Sequence, residues 1–335
     1  MKKRITMMIA GAVLIGALGA TTVMASEYNW SFSTTYAGGS VVVQMYERFA
    51  ELCNEYTDGA ITITVFPDGT IASEDDALAQ VSSGELEFCG TGTAPIFTYS
   101  QADGWLNTPF MITDVDTYMN VYNSDYWLAI RESWATEHNV RDLCGAFYRG
   151  MRTVVSTKEI KSAADLSGIK LRMNSSALWN AAWQACGATT VTIPLGELYT
   201  SFQNGTVDAC ENPLSESGNL NITEQAKFVC PTNHVAECAI ICMANDVFEA
   251  LPEEYQEAVV KAGEDAMAEC APLIAEEESG WLQKYLDAGA VLVEDLDVES
   301  FRAASEEHWK EMFASDWNNI SFEDCMALID ECAAK

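Results

Sequence analysis

The chain has 335 residues, and its 50 Asp and Glu against 18 Lys and Arg give a formal charge of −32. So acidic a body is a poor partner for nucleic acid or an anionic lipid surface, since both are polyanions. It does not exclude a small anionic ligand, because exposed charges are screened beyond ~8 Å at physiological salt and a few buried cations can set the local field.

The first 25 residues open on Lys2, Lys3 and Arg4, run through an apolar stretch from Ile5 to Leu18, and close on the small-residue stretch Val23, Met24 and Ala25. That pattern is a secretory signal peptide with cleavage expected before Ser26. A retained membrane anchor fits less well. The apolar stretch is interrupted by Gly11 and Gly16 and bounded by Thr21 and Thr22, short of the ~20 apolar residues that a span requires. No Cys directly follows the small-residue stretch, so a lipid anchor is not indicated. The remaining chain exceeds what one core usually organises, which predicts two domains.

Helix and strand signals then alternate, arguing for an α/β fold. Trp30 to Thr34 is predicted as a strand, followed by a helix from Ser40 to Tyr56 with Val42, Met45, Phe49 and Leu52 on one face. Ile61, Ile63 and Val65 alternate with threonines as in a strand, Pro67, Asp68 and Gly69 turn the chain, and a helix covers Ser73 to Val81. A helix ending in Gly and running at once into a short strand occurs twice, as SSGELEFC (Ser82 to Cys89) and QNGTVDAC (Gln203 to Cys210), which fits two similar lobes. Between these copies, Leu171, Arg172 and Met173 form a predicted strand, and Ser176 to Cys186 a helix stopped by Gly187. Beyond residue 245 the pattern turns helical. An amphipathic stretch runs from Leu251 to about Ala275, and the charge run Glu276 to Glu278 is expected to be a solvated face. A strand at Ala290 to Val293 precedes a last helix bearing Phe301, Trp309 and Phe313.

Eleven cysteines are scattered without a CxxC pair. An odd number cannot pair completely, and a domain of this size needs no staples, so buried thiols acting as small hydrophobes are the expectation. There is no GxSxG, HExxH, P-loop or GxGxxG, and His138, His234 and His308 stand apart without metal-ligand spacing. Neither a catalytic site, a metal nor a cofactor is indicated. With so few cations, Arg172 inside a strand stands out. Residue type alone leaves it either a structural ion pair or a planar fork aimed at a ligand carboxylate.

Four motifs bear on that choice: GMRTVVS (Gly150 to Ser156), LSGIKLRMNSS (Leu166 to Ser176), IPLGELYTSFQNGTVDACENPL (Ile193 to Leu214) and TNH (Thr232 to His234). The N-terminal part adds ITITVFPDGTI (Ile61 to Ile71), SSGELEF and NTPFMITD (Asn107 to Asp114). Together they resemble the solute receptors of tripartite ATP-independent periplasmic (TRAP) transporters, of the DctP type, over essentially the whole mature chain. The resemblance implies a type II periplasmic-binding-protein fold, with two α/β lobes closing on one organic acid and a long connecting helix. It assigns 26–149 plus about 238–277 to lobe I and 150–237 plus about 278–335 to lobe II. It also implies that Arg172 binds the ligand carboxylate, Arg152 is a second basic contact, and Asn212 hydrogen-bonds the same ligand. Thr35, Tyr36, Thr91 and Thr93 fall where lobe I loops should face the cleft. Leu195 stands where many members have an aromatic, and Gly92 where many have a polar or acidic side chain, which speaks against polyol recognition. The expected protein is a periplasmic or extracytoplasmic monomer serving TRAP membrane subunits, and not an enzyme. The rival reading is a sensory receptor that signals to a chemoreceptor or kinase.

Overall fold

The computed structural model describes residues 26–335, so the leader expected at residues 1–25 lies outside the described residues. The strands are β1 (Tyr28–Thr34), β2 (Ile61–Phe66), β3 (Phe88–Gly92), β4 (Val140–Met151), β5 (Thr153–Ser156), β6 (Lys170–Met173), β7 (Thr189–Thr192), β8 (Ala209–Asn212), β9 (Phe228–Cys230), β10 (Ala236–Ala244) and β11 (Val291–Leu292). They form two sheets, ordered β2-β1-β3-β10-β4 and β11-β9-β5-β8-β6-β7. In the first, β1 runs parallel to β2 and β3, while β10 is antiparallel to both its neighbours. In the second, β6 runs parallel to β7 and β8, while β5 is antiparallel to β8 and β9. Both sheets therefore share one plan, a parallel trio plus an inserted antiparallel strand that arrives from the other lobe. The repeated helix-Gly-strand pattern marks equivalent places in that plan, since Gly84 (φ 74°) and Gly205 (φ 67°) lead into β3 and β8.

The expected helices form for the expected reasons. The helix Val41–Tyr56 starts where the Ser40 side chain accepts from Val43 N, and it buries Val42, Met45, Phe49 and Leu52 on one face. The helices Glu74–Ser83 and Ala177–Ala185 are capped in the same way by Ser73 and Ser176. One core gathers Phe32, Phe49 and Phe88. A second gathers Val155, Phe202 and Tyr285. A third, rich in tryptophan, contains Trp105, Trp127, Trp179, Trp183 and Trp309. All eleven cysteines are free, and ten of them are buried.

The helical tail departs from expectation in two ways. The helix expected to end near Ala275 instead continues through Pro272 as Glu253–Asp287. Its apolar contacts change side along its length: Val259, Ala262 and Ala266 serve the first core, and Tyr285 serves the second. The charge run is not a simple solvated face either. Only Glu276 is exposed, while Glu277 accepts from Val41 N at 3.2 Å and Glu278 from Ser215 N at 3.0 Å. Gly150 explains part of this arrangement. Its φ is +117°, and a Cβ there would lie 2.8 Å from the Glu278 carboxyl carbon. The last strand is shorter than expected, and after the helix Val298–Ser315 there is a further helix, Phe322–Ala333. That final helix lies against Val115–Tyr122, with Asn120 Nδ2 donating to Cys332 O at 3.0 Å, so residues expected with lobe II also reach lobe I.

The chain passes between the sheets from β4 to β5 at Arg152, from β9 to β10 through the Thr232–His234 triplet, and along the long helix. These crossings border the functional site.

Candidate functional site

Between the sheets lies a cavity of about 480 Å³, with a small pocket of about 40 Å³ beside it; Tyr36, Glu74, Arg149, Arg172, Leu195 and Glu216 line both. The first volume falls within the range of small-molecule sites. Residues on opposite walls meet at its edge, where Ser175 Oγ donates to Asp75 Oδ2 at 2.8 Å.

Arg172 enters this space from β6, which is flanked by β7 and β8, and it is only 4% exposed. Its Nε donates to Ile193 O at 2.8 Å, and among the described residues it makes no ion pair. Burial lowers its pKa from the ordinary arginine value, and Glu211 and Glu216 offset this only in part. Two terminal guanidinium nitrogens thus remain for a planar acceptor.

Arg152 is held differently. Its Nε and Nη2 grip the Glu211 carboxylate at 2.5 and 2.8 Å, Nη1 donates to Glu237 at 2.7 Å, and Nη2 also donates to Asn212 Oδ1 at 2.9 Å. The guanidinium lies 4.4 Å from the centre of the Trp179 ring. Burial alone would lower its pKa, but Glu211 and Glu237 outweigh it and hold the group above its ordinary value. Every guanidinium nitrogen of Arg152 donates to a protein acceptor, so its direct reach towards a ligand is small.

The motifs that flank Arg152 meet in one buried network. His234 Nε2 lies 3.0 Å from Glu211 Oε2, and Nδ1 lies 2.8 Å from Thr232 Oγ1. Burial works against the Glu211 carboxylate, yet Arg152 and His234 bring its pKa down to about 2. Burial also lowers the pKa of His234 despite Glu211. A neutral ring donating to Glu211 from Nε2 leaves Nδ1 to accept from the Thr232 hydroxyl.

Asn212 follows from the same network. Because Oδ1 accepts from Arg152, the amide is oriented and Nδ2 is the remaining donor; it is buried without a partner among the described residues, in a residue 2% exposed. Arg172 and Asn212 therefore offer donors from β6 and its neighbour β8 to the same small pocket.

The remaining expected residues divide. Tyr36 and half-buried Thr35 line the larger cavity, as does Leu195. Thr91 and Thr93 do not line it: the Thr91 hydroxyl donates to Glu74 at 2.8 Å, and the Thr93 hydroxyl accepts from Tyr118 at 3.1 Å. Gly92 allows a close approach. A Cβ there would lie 2.9 Å from Glu237 Oε1, so the acidic side chain that reaches this spot comes from β10.

Sequence reasoning missed Arg149, Glu74, Glu216 and Glu237. Arg149 donates to Glu216 at 2.9 Å, lies 3.5 Å from Glu237, and stacks 4.3 Å above the Tyr36 ring. Its position three residues before Arg152, in a chain with few cations, was the available signal. Nothing local marked the three glutamates among 50 acidic residues.

Two mixed sheets of like plan, with a cation-bearing cavity between them, define a two-lobed solute-binding protein. The chain belongs to the bacterial extracellular solute-binding proteins of family 7 (DctP), whose family model matches residues 32–316. It is 24% identical over 303 residues to the 2,3-diketo-L-gulonate-binding periplasmic protein of Escherichia coli, covering 90% of this chain and 91% of that one. A solute-binding protein of Roseobacter denitrificans is 28% identical over 263 residues, 78% of this chain and 79% of the relative. Among solved structures, a TRAP periplasmic solute-binding protein from Roseobacter denitrificans with bound β-D-glucuronate superposes with a TM-score of 0.84 at 25% identity, covering 92% of this chain and 99% of that one.

Proposed function

We propose that this protein captures a small organic carboxylate in the cavity between its lobes and delivers it to the membrane subunits of a TRAP transporter, acting as a monomer exported by a cleaved leader. The observation that carries the reading is Arg172, a buried arginine that among the described residues has no carboxylate partner, beside Asn212 Nδ2, which has no partner among them either. A buried guanidinium is costly unless a charge-assisted partner joins it, and a carboxylate supplies that partner in matching planar geometry. Arg152 then acts chiefly by fixing Asn212, and the lobe division follows the two sheets, with the crossings at Arg152 and Thr232–His234 as the hinge. Family membership and the acids named in related proteins support the same ligand class. The reading assigns the chain no catalytic turnover.

Mass spectrometry of the small molecule released on denaturing freshly purified protein tests this. A carboxylic acid is expected, and a released ligand without an acid group overturns the reading. Small-angle scattering supplies a second check. Because the ligand bridges both lobes only when they close, the radius of gyration should fall on loading, and an unchanged profile at saturation counts against closure.

A further inference from the structure

The cleft contains a second group that has no counter-charge among the described residues, of the opposite sign to Arg172. Arg149 faces Glu216 and Glu237, and Arg152 faces Glu211 and Glu237. Among the described residues, Glu74 has no Lys, Arg or His nitrogen within ion-pair distance. It begins the helix Glu74–Ser83, yet its carboxylate turns back to the cleft, where Oε1 accepts from Thr91 Oγ1 at 2.8 Å and Gly92 N at 3.0 Å. Both of those bonds go to the same oxygen, so Oε2 takes none from the described residues.

An independent observation points to a ligand at the same place. Tyr36 is 5% exposed, its Oη has no hydrogen-bond partner among the described residues, and it lines both cavities together with Glu74 and Arg172. A simple carboxylate would neutralise Arg172 but leave the anion of Glu74 and the Tyr36 hydroxyl unanswered.

Resting on the carboxylate reading above, we propose that the ligand also carries an N–H-bearing ammonium group, with Arg172 and Asn212 taking its carboxylate and Glu74 and Tyr36 Oη taking its ammonium. The ligand class is then an amino acid in the broad sense. The aromatic face of Tyr36 is already covered by Arg149 at 4.3 Å, so the cation is read through its N–H donors rather than by lying on a ring. This favours a primary ammonium over a trimethylated one. Burial raises the pKa of Glu74, and only the bonds from Gly92 and Thr91 and the more distant Arg149 oppose this. A cationic ligand would favour its ionised form.

The test uses full-length mature protein stripped of co-purifying ligand by partial unfolding, screened by thermal shift and then calorimetry. The probes are the proteinogenic α-amino acids and straight-chain ω-amino acids of three to six carbons. Each is paired with its hydroxy-acid and N-trimethyl counterparts, and D-glucuronate is included. At least one amino acid should bind about 10- to 100-fold more tightly than both counterparts, the effect of one charge-assisted contact. In Glu74→Gln that ratio should fall towards one. Should this variant fail to fold, the comparison on the unsubstituted protein stands alone. If no amine-bearing acid binds, or the hydroxy acids or D-glucuronate bind as tightly as the amino acids, the proposal is overturned. In that second case the carboxylate reading survives. If the screen yields no carboxylate ligand at all, both fall.

Discussion

Replacing Arg172 by Ala separates ligand recognition from structure at one residue. In the unliganded protein the side chain makes one bond to the chain, from Nε to Ile193 O, and forms no ion pair among the described residues. Loss of that bond costs about 1 kcal/mol. Removing a buried, unpaired cation returns a comparable amount, since burial disfavours the charged form of Arg172. The melting temperature of stripped Arg172→Ala should therefore change by about 2 °C or less, in either direction. Affinity should respond very differently. Deleting one partner of a buried, hydrogen-bonded charge pair costs ~2 to 5 kcal/mol. At ~1.4 kcal/mol per factor of ten this weakens binding roughly 30-fold to several thousandfold. Arg172→Lys should also lose much of the affinity, because a point charge does not reproduce a planar fork. Calorimetry with the recovered ligand and thermal melting of the same stripped preparation measure both quantities. A large fall in unliganded stability with near-normal affinity would show that Arg172 is structural and refute the reasoning.

Arg152→Ala should behave in the opposite way, because it strips Glu211 and Glu237 of their shared cation. A loss of about 3 to 5 kcal/mol is expected in urea unfolding without ligand, and a stable variant would mean the network contributes little. Acid should have the same target. The pKa of Glu211 is held near 2 in the fold against an ordinary value of 4.5. Its contribution, on the order of 3 kcal/mol, is complete above the unfolded pKa and lost as pH falls from about 4.5 towards 2. His234, whose pKa is lowered, adds a loss in the same direction once pH falls below its ordinary 6.5. Glu211→Gln should flatten the acid limb of a stability-against-pH curve, and an unchanged limb would place the sensitivity elsewhere. Leu195 itself offers no aromatic face for a sugar ring, and the Tyr36 ring in the same wall is covered by Arg149. Sialic acid should therefore bind poorly beside short aliphatic acids, and tight sialic-acid binding in calorimetry would contradict this.

Much of the architecture was legible because it depends on local rules. Ser40, Ser73 and Ser176 announce helix starts, and Val42, Met45, Phe49 and Leu52 keep helical spacing. The helix-Gly-strand echo anticipated that β3 and β8 hold equivalent places in two like sheets. Such signals involve residues a few positions apart, so the chain carries them before it folds. Continuity of the long helix was not legible, because its apolar face serves one core up to Ile274 and another at Tyr285, and the break in periodicity reads as an end.

The sequence by itself determined the two-lobed α/β class and the family motifs, and its resemblance to the family singled out Arg172, Arg152 and Asn212 as candidates. Only the tertiary structure decided how these groups divide their hydrogen bonds. It turned Arg152 onto Glu211 and Glu237, oriented Asn212 so that Nδ2 is the remaining donor, and left Arg172 without a carboxylate among the described residues. It also set Thr91 behind Glu74 and Thr93 against Tyr118, and brought Glu74 and Arg149 to the cavity wall. The physical reason is that a charge is defined by its partner, and these partners are dozens of residues away in the chain. Arg152 and Glu237 meet across 85 positions, Arg149 and Glu216 across 67. No local pattern marks which of 50 acidic side chains will arrive.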